Sequence, residues 1–157
     1  MAAFLKSKKI YLTALLFISA NAIATPAKVA ENDYRIAYKA YESKIDLCAG
    51  LEVENKISEK LLNQLKSIPK QHLSKLLPYY SFTAFHQCLQ PEEGGYLVTR
   101  ERATLFNIEV GSQGAVSISK LYVELKDEVN QLPHYDVFEN QYFKSPYKVS
   151  QFFGLVD

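Results

Sequence analysis

From Asp33 onward, Tyr34, Ala37, Tyr38, Tyr41, Ile45 and Cys48 recur at intervals of three and four, while Arg35, Lys39, Glu42 and Asp46 fall elsewhere on the wheel. That spacing predicts an amphipathic helix with one apolar stripe, closed by Ala49-Gly50, where glycine accepts the left-handed conformation favoured beyond a helix end. A second stripe, Ile57, Leu61, Leu65 and Ile68, runs among Glu54, Lys56, Glu59, Lys60 and Lys66 and stops at Pro69. A third helix is expected from about Lys70 to Leu89, carrying Leu73, Leu76, Leu77, Phe82, Phe85 and Leu89 and ending at Gln90-Pro91. Pro78 removes one backbone donor there and should kink or split it. Short links make neighbouring helices antiparallel, so the three are expected to run up, down and up.

The second half is less regular. Within TLFNIEVGSQGAVSISK, Thr104 to Lys120, Phe106, Ile108 and Val110 alternate with Asn107 and Glu109, and Val116 and Ile118 alternate with serines across a Gly111-to-Gly114 turn. This is the pattern of a small β-hairpin over 104–119. Against it, Ile118, Leu121, Tyr122, Leu125, Val129 and Leu132 hold an unbroken helical stripe to Pro133, and Tyr96, Thr99, Ala103, Phe106 and Val110 support a helix upstream. Helix, loop, helix is therefore preferred, with Ser117 as the cap. In the aromatic tail, Asp136 is placed to cap a short helix bearing Val137, Phe138 and Tyr142. Ser145-Pro146 is expected to open another, bearing Val149, Phe152 and Phe153 and ending at Gly154.

The amino terminus changes the picture. Lys6, Lys8 and Lys9 precede an apolar run from Ile10 to Ala20 and the small-residue stretch Asn21-Ala22-Ile23-Ala24. That order is a secretory signal peptide with cleavage expected after Ala24, its apolar run short of the ~20 residues that span a bilayer. Removing 24 of 157 residues leaves 133, the size of a single domain, 25–157. Taking the leader's three lysines from 18 basic residues leaves 15 against 17 acidic, a formal charge of −2. With the basic residues scattered, nucleic acid is not the expected partner, and no membrane span remains after cleavage.

In an oxidising periplasm, Cys48 and Cys88, the chain's two cysteines, are expected to form a disulfide. His86 stands two residues before Cys88, and two positions apart on a helix point about 200° apart, so imidazole and sulfur face different ways rather than forming a dyad. The reading for His86 is a helix histidine with a local hydrogen bond. His72 and His134 are isolated and no CxxC or HExxH occurs, so no metal ligand or cofactor is assigned. Glu109 to Lys120 echoes the glycine spacing of a calcium loop but has Lys120 where a glutamate belongs, and Ser117-Ile-Ser-Lys120 matches SxxK without its SDN and KTG partners.

The expected fold is all-α: a compact bundle of about five to seven helices with short loops and one disulfide. The expected function is that of an exported periplasmic protein-binding module, an inhibitor or immunity-type protein, whose partner is another envelope or secreted protein. Tyr79, Tyr80, Tyr142, Phe143 and Tyr147 are candidate partner-binding residues, since tyrosine joins a large apolar face to one hydroxyl; the plain alternative is that these rings close the core. No catalytic residue is assigned. A hydrolase using Glu92 and Glu93 beside Gly94-Gly95, or Glu101 between Arg100 and Arg102, and a small-ligand groove lined by Tyr34, Tyr38 and Tyr41, are the alternatives.

Overall fold

A computed structural model describes residues 24–111 and 115–156, with 115–121 as backbone. Most of the expected leader and the Ser112–Gly114 turn lie outside the described residues. The helices are α1 (Pro26–Glu54), α2 (Glu59–Leu65), α3 (Lys70–Leu105), α4 (Ala115–Val129) and the short α5 (Phe153–Val156). Single 3-10 turns occupy Asp136–Glu139, Gln141–Lys144 and Val149–Phe152. No strand occurs among the described residues, with helix up to Leu105 and again from Ala115, so the β-hairpin alternative over 104–119 is overturned.

Helix α1 opens where Thr25 Oγ1 accepts from the Lys28 amide and Pro26 takes the first turn. It runs one turn past Gly50, which adopts no left-handed conformation. What ends it is Asn55, whose side chain donates to the Pro146 carbonyl at 3.0 Å while its own carbonyl accepts from Gln151 Nε2 at 2.8 Å. Contacts from the far end of the chain, rather than a local glycine signal, set this boundary. Helix α2 is a seven-residue connector capped by Ser58, too short to stand as a bundle member.

Helix α3 continues through both Pro78 and Pro91, so the expected stop at Gln90-Pro91 is wrong. The reason is a seam that crosses the proline: Phe85, Leu89, Glu92, Tyr96, Thr99 and Ala103 alternate four and three apart, and α1 answers with Ala30, Tyr34, Ala37, Tyr41, Lys44 and Cys48 in the same rhythm. Packing along that seam outweighs an interior proline, which costs roughly 3 kcal/mol. The α3 end is specified by Asn107, at φ 54°, with the Ile108 amide returning to Ala103 at 3.1 Å. Asparagine tolerates that left-handed position better than most residues.

Asp33 meets Arg102, Tyr41 stacks on Tyr96, Lys44 meets Glu92 and Cys48 joins Cys88, so one chain ascends as the other descends. Helices α1 and α3 are thus antiparallel, which corrects the up, down, up arrangement: the short α2 reverses the chain only once. Helix α4 lies antiparallel on α3 too, with Tyr122 against Tyr79 and Phe82 and Glu128 at 3.2 Å from Lys75. It begins at Ala115, so Ser117 lies inside it and does not cap it.

The core sits at one end of this hairpin. Leu61, Leu65 and Ile68, with Leu73, Leu76 and Leu77 of α3, close around Phe138, Phe143, Tyr147, Phe152 and Leu155 of the tail. The two helices expected in the tail are present as short helical turns, but without the expected caps, and the second runs on through Gly154 to Val156 rather than ending there. Tyr135 precedes the first turn without a side-chain cap, Asn140 caps the second, and Lys148 rather than Ser145-Pro146 precedes the third. Tyr147 explains the extended stretch: its hydroxyl donates to the Leu77 carbonyl at 2.7 Å, and its own carbonyl accepts from Ser81 at 3.0 Å.

Candidate functional site

The α1–α3 hairpin extends beyond the core as two layers of chemistry. Its inner layer alternates small and aromatic residues. Tyr41 stacks on Tyr96 with ring centroids 4.9 Å apart and 2° between planes, and Tyr34 and Tyr38 lean on the same ring at 6.0 and 5.8 Å. Buried Ala30 and Ala103 leave room for the rings. Tyr34, Tyr38 and Tyr41 therefore pack around Tyr96, the plain alternative for this stripe. Burial raises the Tyr96 hydroxyl above its ordinary range, the Tyr34 hydroxyl adding to the effect; burial and then Glu93 do the same to Tyr41.

One turn along the seam the chemistry becomes ionic. Lys44 Nζ lies 3.8 Å from Glu92 Oε1, and the other Glu92 oxygen is buried without a hydrogen-bond partner. On the flank of α3, His86 Nδ1 lies 3.2 Å from Glu93 Oε2, with the Phe82 ring 4.5 Å from the imidazole. Cys48 and Cys88 form a disulfide that fastens the helices one turn further on. His86 thus has the local hydrogen bond expected of it, turned away from the sulfur. His72 shares a 2.6 Å hydrogen bond with Tyr135, and His134 sits between Asp136 and Glu139, so the three imidazoles occupy separate places. Among the described residues no group of three or more His, Cys, Asp or Glu side chains is arranged to hold a metal ion.

Glu92 and Glu93 lie within α3, not on a loop, because Gly94 and Gly95 are helical. The two carboxylates are engaged separately, by Lys44 and His86. Glu101 is exposed on α3.

The aromatic candidates divide. Tyr147 is 0% exposed and Phe143 3%, both inside the core, which is the packing alternative and leaves neither ring on a surface. Tyr142 is half-buried against them, its hydroxyl without a hydrogen-bond partner. Tyr80 stacks on Phe138, and Tyr79 lies against Tyr122 in the α3–α4 seam.

The outer layer of α1 was not singled out in the sequence. Val29, Ile36, Leu47 and Leu51 are all exposed, Ile36 to 61% and Leu47 to 54%. At 100° per residue they fall within about 60° of one another, about 95° round the helix from the residues that face α3, and span about 33 Å of helix. Exposed Ala40 and Ser43 lie on the same line. The signal was present as spacings of seven, eleven and four, but the stronger tyrosine stripe claimed the helix first. On the second arm, Leu97, Val98 and Leu105 are exposed as well. An amphipathic helix with one partner needs one apolar face, and α1 has two. No helix among the described residues is long and apolar enough to cross a membrane. Comparison with protein-family models, curated proteins and solved structures finds no match, so the functional reading rests on this geometry.

Proposed function

We propose that the protein is an exported periplasmic module, of the inhibitor or immunity type, that binds another envelope or secreted protein through the outer face of α1. The observation that carries this reading is the second apolar stripe. A row of exposed apolar side chains along one line of a helix costs free energy in water and is a candidate interaction site. Here it lies along the flank of a long helix whose adjacent face is already fixed to α3, which suits recognition of a groove or a second helix on the partner. The leader pattern supports export, and a disulfide is a bond that an oxidising compartment sustains. The paired states of Glu92 and Glu93 favour binding over carboxylate catalysis.

The test is site-specific photo-cross-linking in cells of the source organism, with the photoreactive residue at Ala40 on the stripe or at exposed Asn63 on the core end. A discrete protein adduct from Ala40 and none from Asn63 is expected, on a chain whose first residue is Thr25. Adducts absent at both positions, or equal at both, would overturn the reading.

A further inference from the structure

The carboxyl end of α1, the Pro78 region of α3, helix α4 and the tail enclose an open groove of about 380 Å³. This lies in the usual size range of small-ligand sites, about 300–1,000 Å³. Pro78, Phe82, Phe85, Leu125 and Val149 make the walls apolar; Glu52 and Ser81 are the polar residues. The groove is separate from the outer stripe, since Glu52 projects about 100° round α1 from Leu51.

Its polar groups have one feature in common. Ser81 spends its proton on the Tyr147 carbonyl, so its oxygen is left as an acceptor. Glu52 is half-buried, and no hydrogen bond or ion pair reaches its carboxylate from the described residues. Burial raises it above the ordinary carboxylate range, with Lys148 opposing from outside ion-pair distance. The groove therefore offers acceptors and apolar walls. An anion would face Glu52, and a neutral apolar guest would bury a carboxylate without a partner, which is costly.

We propose that this groove binds a small organic cation, an ammonium or guanidinium group on an apolar body, with the charge on Glu52 and the body against Phe82, Phe85 and Leu125. The inference is independent of the α1 stripe and stands or falls separately.

The probe is 4-phenylbutylammonium, compared with 4-phenylbutan-1-ol and 4-phenylbutanoate, titrated at neutral pH into mature disulfide-bonded protein and followed by side-chain NMR. The ammonium is expected to shift the signals of Phe82, Phe85, Leu125 and Val149, with the alcohol about tenfold weaker and the carboxylate without effect. Glu52→Gln should erase the preference for the ammonium over the alcohol, and Val149→Trp, which fills the groove, should abolish binding of both. Equal affinity for ammonium and alcohol, shifts elsewhere, or silence at millimolar probe would each overturn the proposal.

Discussion

Tyr147 is fully buried and fastened at two points, through its hydroxyl to Leu77 and through its carbonyl from Ser81. Burial holds its hydroxyl well above the ordinary tyrosine range, and burial likewise pushes Tyr142 up to about 12. Burial first, then Tyr122, pushes Tyr79 up to about 12. These raised values favour the neutral ring in the folded chain. Their contribution is complete below the unfolded tyrosine pKa of about 10 and is lost as pH climbs toward 12 and beyond. The denaturation midpoint should therefore hold steady to about pH 10 and then fall, with tyrosinate absorbance from the buried rings appearing together with unfolding. Tyr147→Phe should cost about 1 kcal/mol near neutral pH, from the lost hydrogen bond, and should flatten the alkaline limb. A midpoint unchanged to pH 12, or early titration of every tyrosine, would contradict this assignment. The identity of these rings as core was available from composition as the plain alternative; which carbonyl each would reach was not, because both partners of Tyr147 lie more than sixty residues away in sequence.

Among the elements, helix positions were legible wherever one apolar stripe dominated, as in α1 and the first half of α3. Boundaries failed where distant contacts decided them. Gly50 and Pro91 are strong local stop signals, yet both are overrun: α1 is ended by the tail's grip on Asn55, and α3 is carried across Pro91 by its seam with α1. Reading the α3 heptad through the proline would have recovered the antiparallel hairpin, since Lys44 and Glu92 occupy matching seam positions. That ion pair is mostly shielded from water, and such pairs serve better to fix register than to add stability.

The disulfide closes a loop of sequence separation 40, which disfavours the unfolded chain by about 4 kcal/mol on the chain-entropy model. It also lies between the core and the distal part of the hairpin, and the core cluster includes neither cysteine. Reduction, or paired Cys48→Ser and Cys88→Ser, should accelerate amide exchange most in residues 30–47 and 92–105 while Leu61 to Leu77 keep the greater protection. Equal acceleration in both regions would show that hairpin and core open as one unit.

At the scale of the whole molecule, the chain divides its work. Leucines of α2 and α3 and the aromatic tail make a core at one end, and the hairpin carries a packed inner face and, among the described residues, an exposed apolar flank on α1. The all-α class and the single bridge followed from periodicity and cysteine number. The orientation of α1 against α3 did not, because it depends on how short α2 is, and a stripe of four apolar residues is compatible with either a connector or a full helix. The second apolar stripe of α1 was also hidden, since periodicity assigns a helix to its strongest stripe and passes over a second one.

The central claim is that this second stripe serves a partner and not the fold, and a double substitution, Ile36→Asp with Leu47→Asp, tests it most directly. Both side chains are exposed, so the variant should unfold within about 1 kcal/mol of the parent, while the adduct formed from Ala40 in cells disappears. A thermal midpoint lowered by several degrees would show that the stripe is part of the protein's own packing, and an undiminished adduct would show that the partner binds elsewhere.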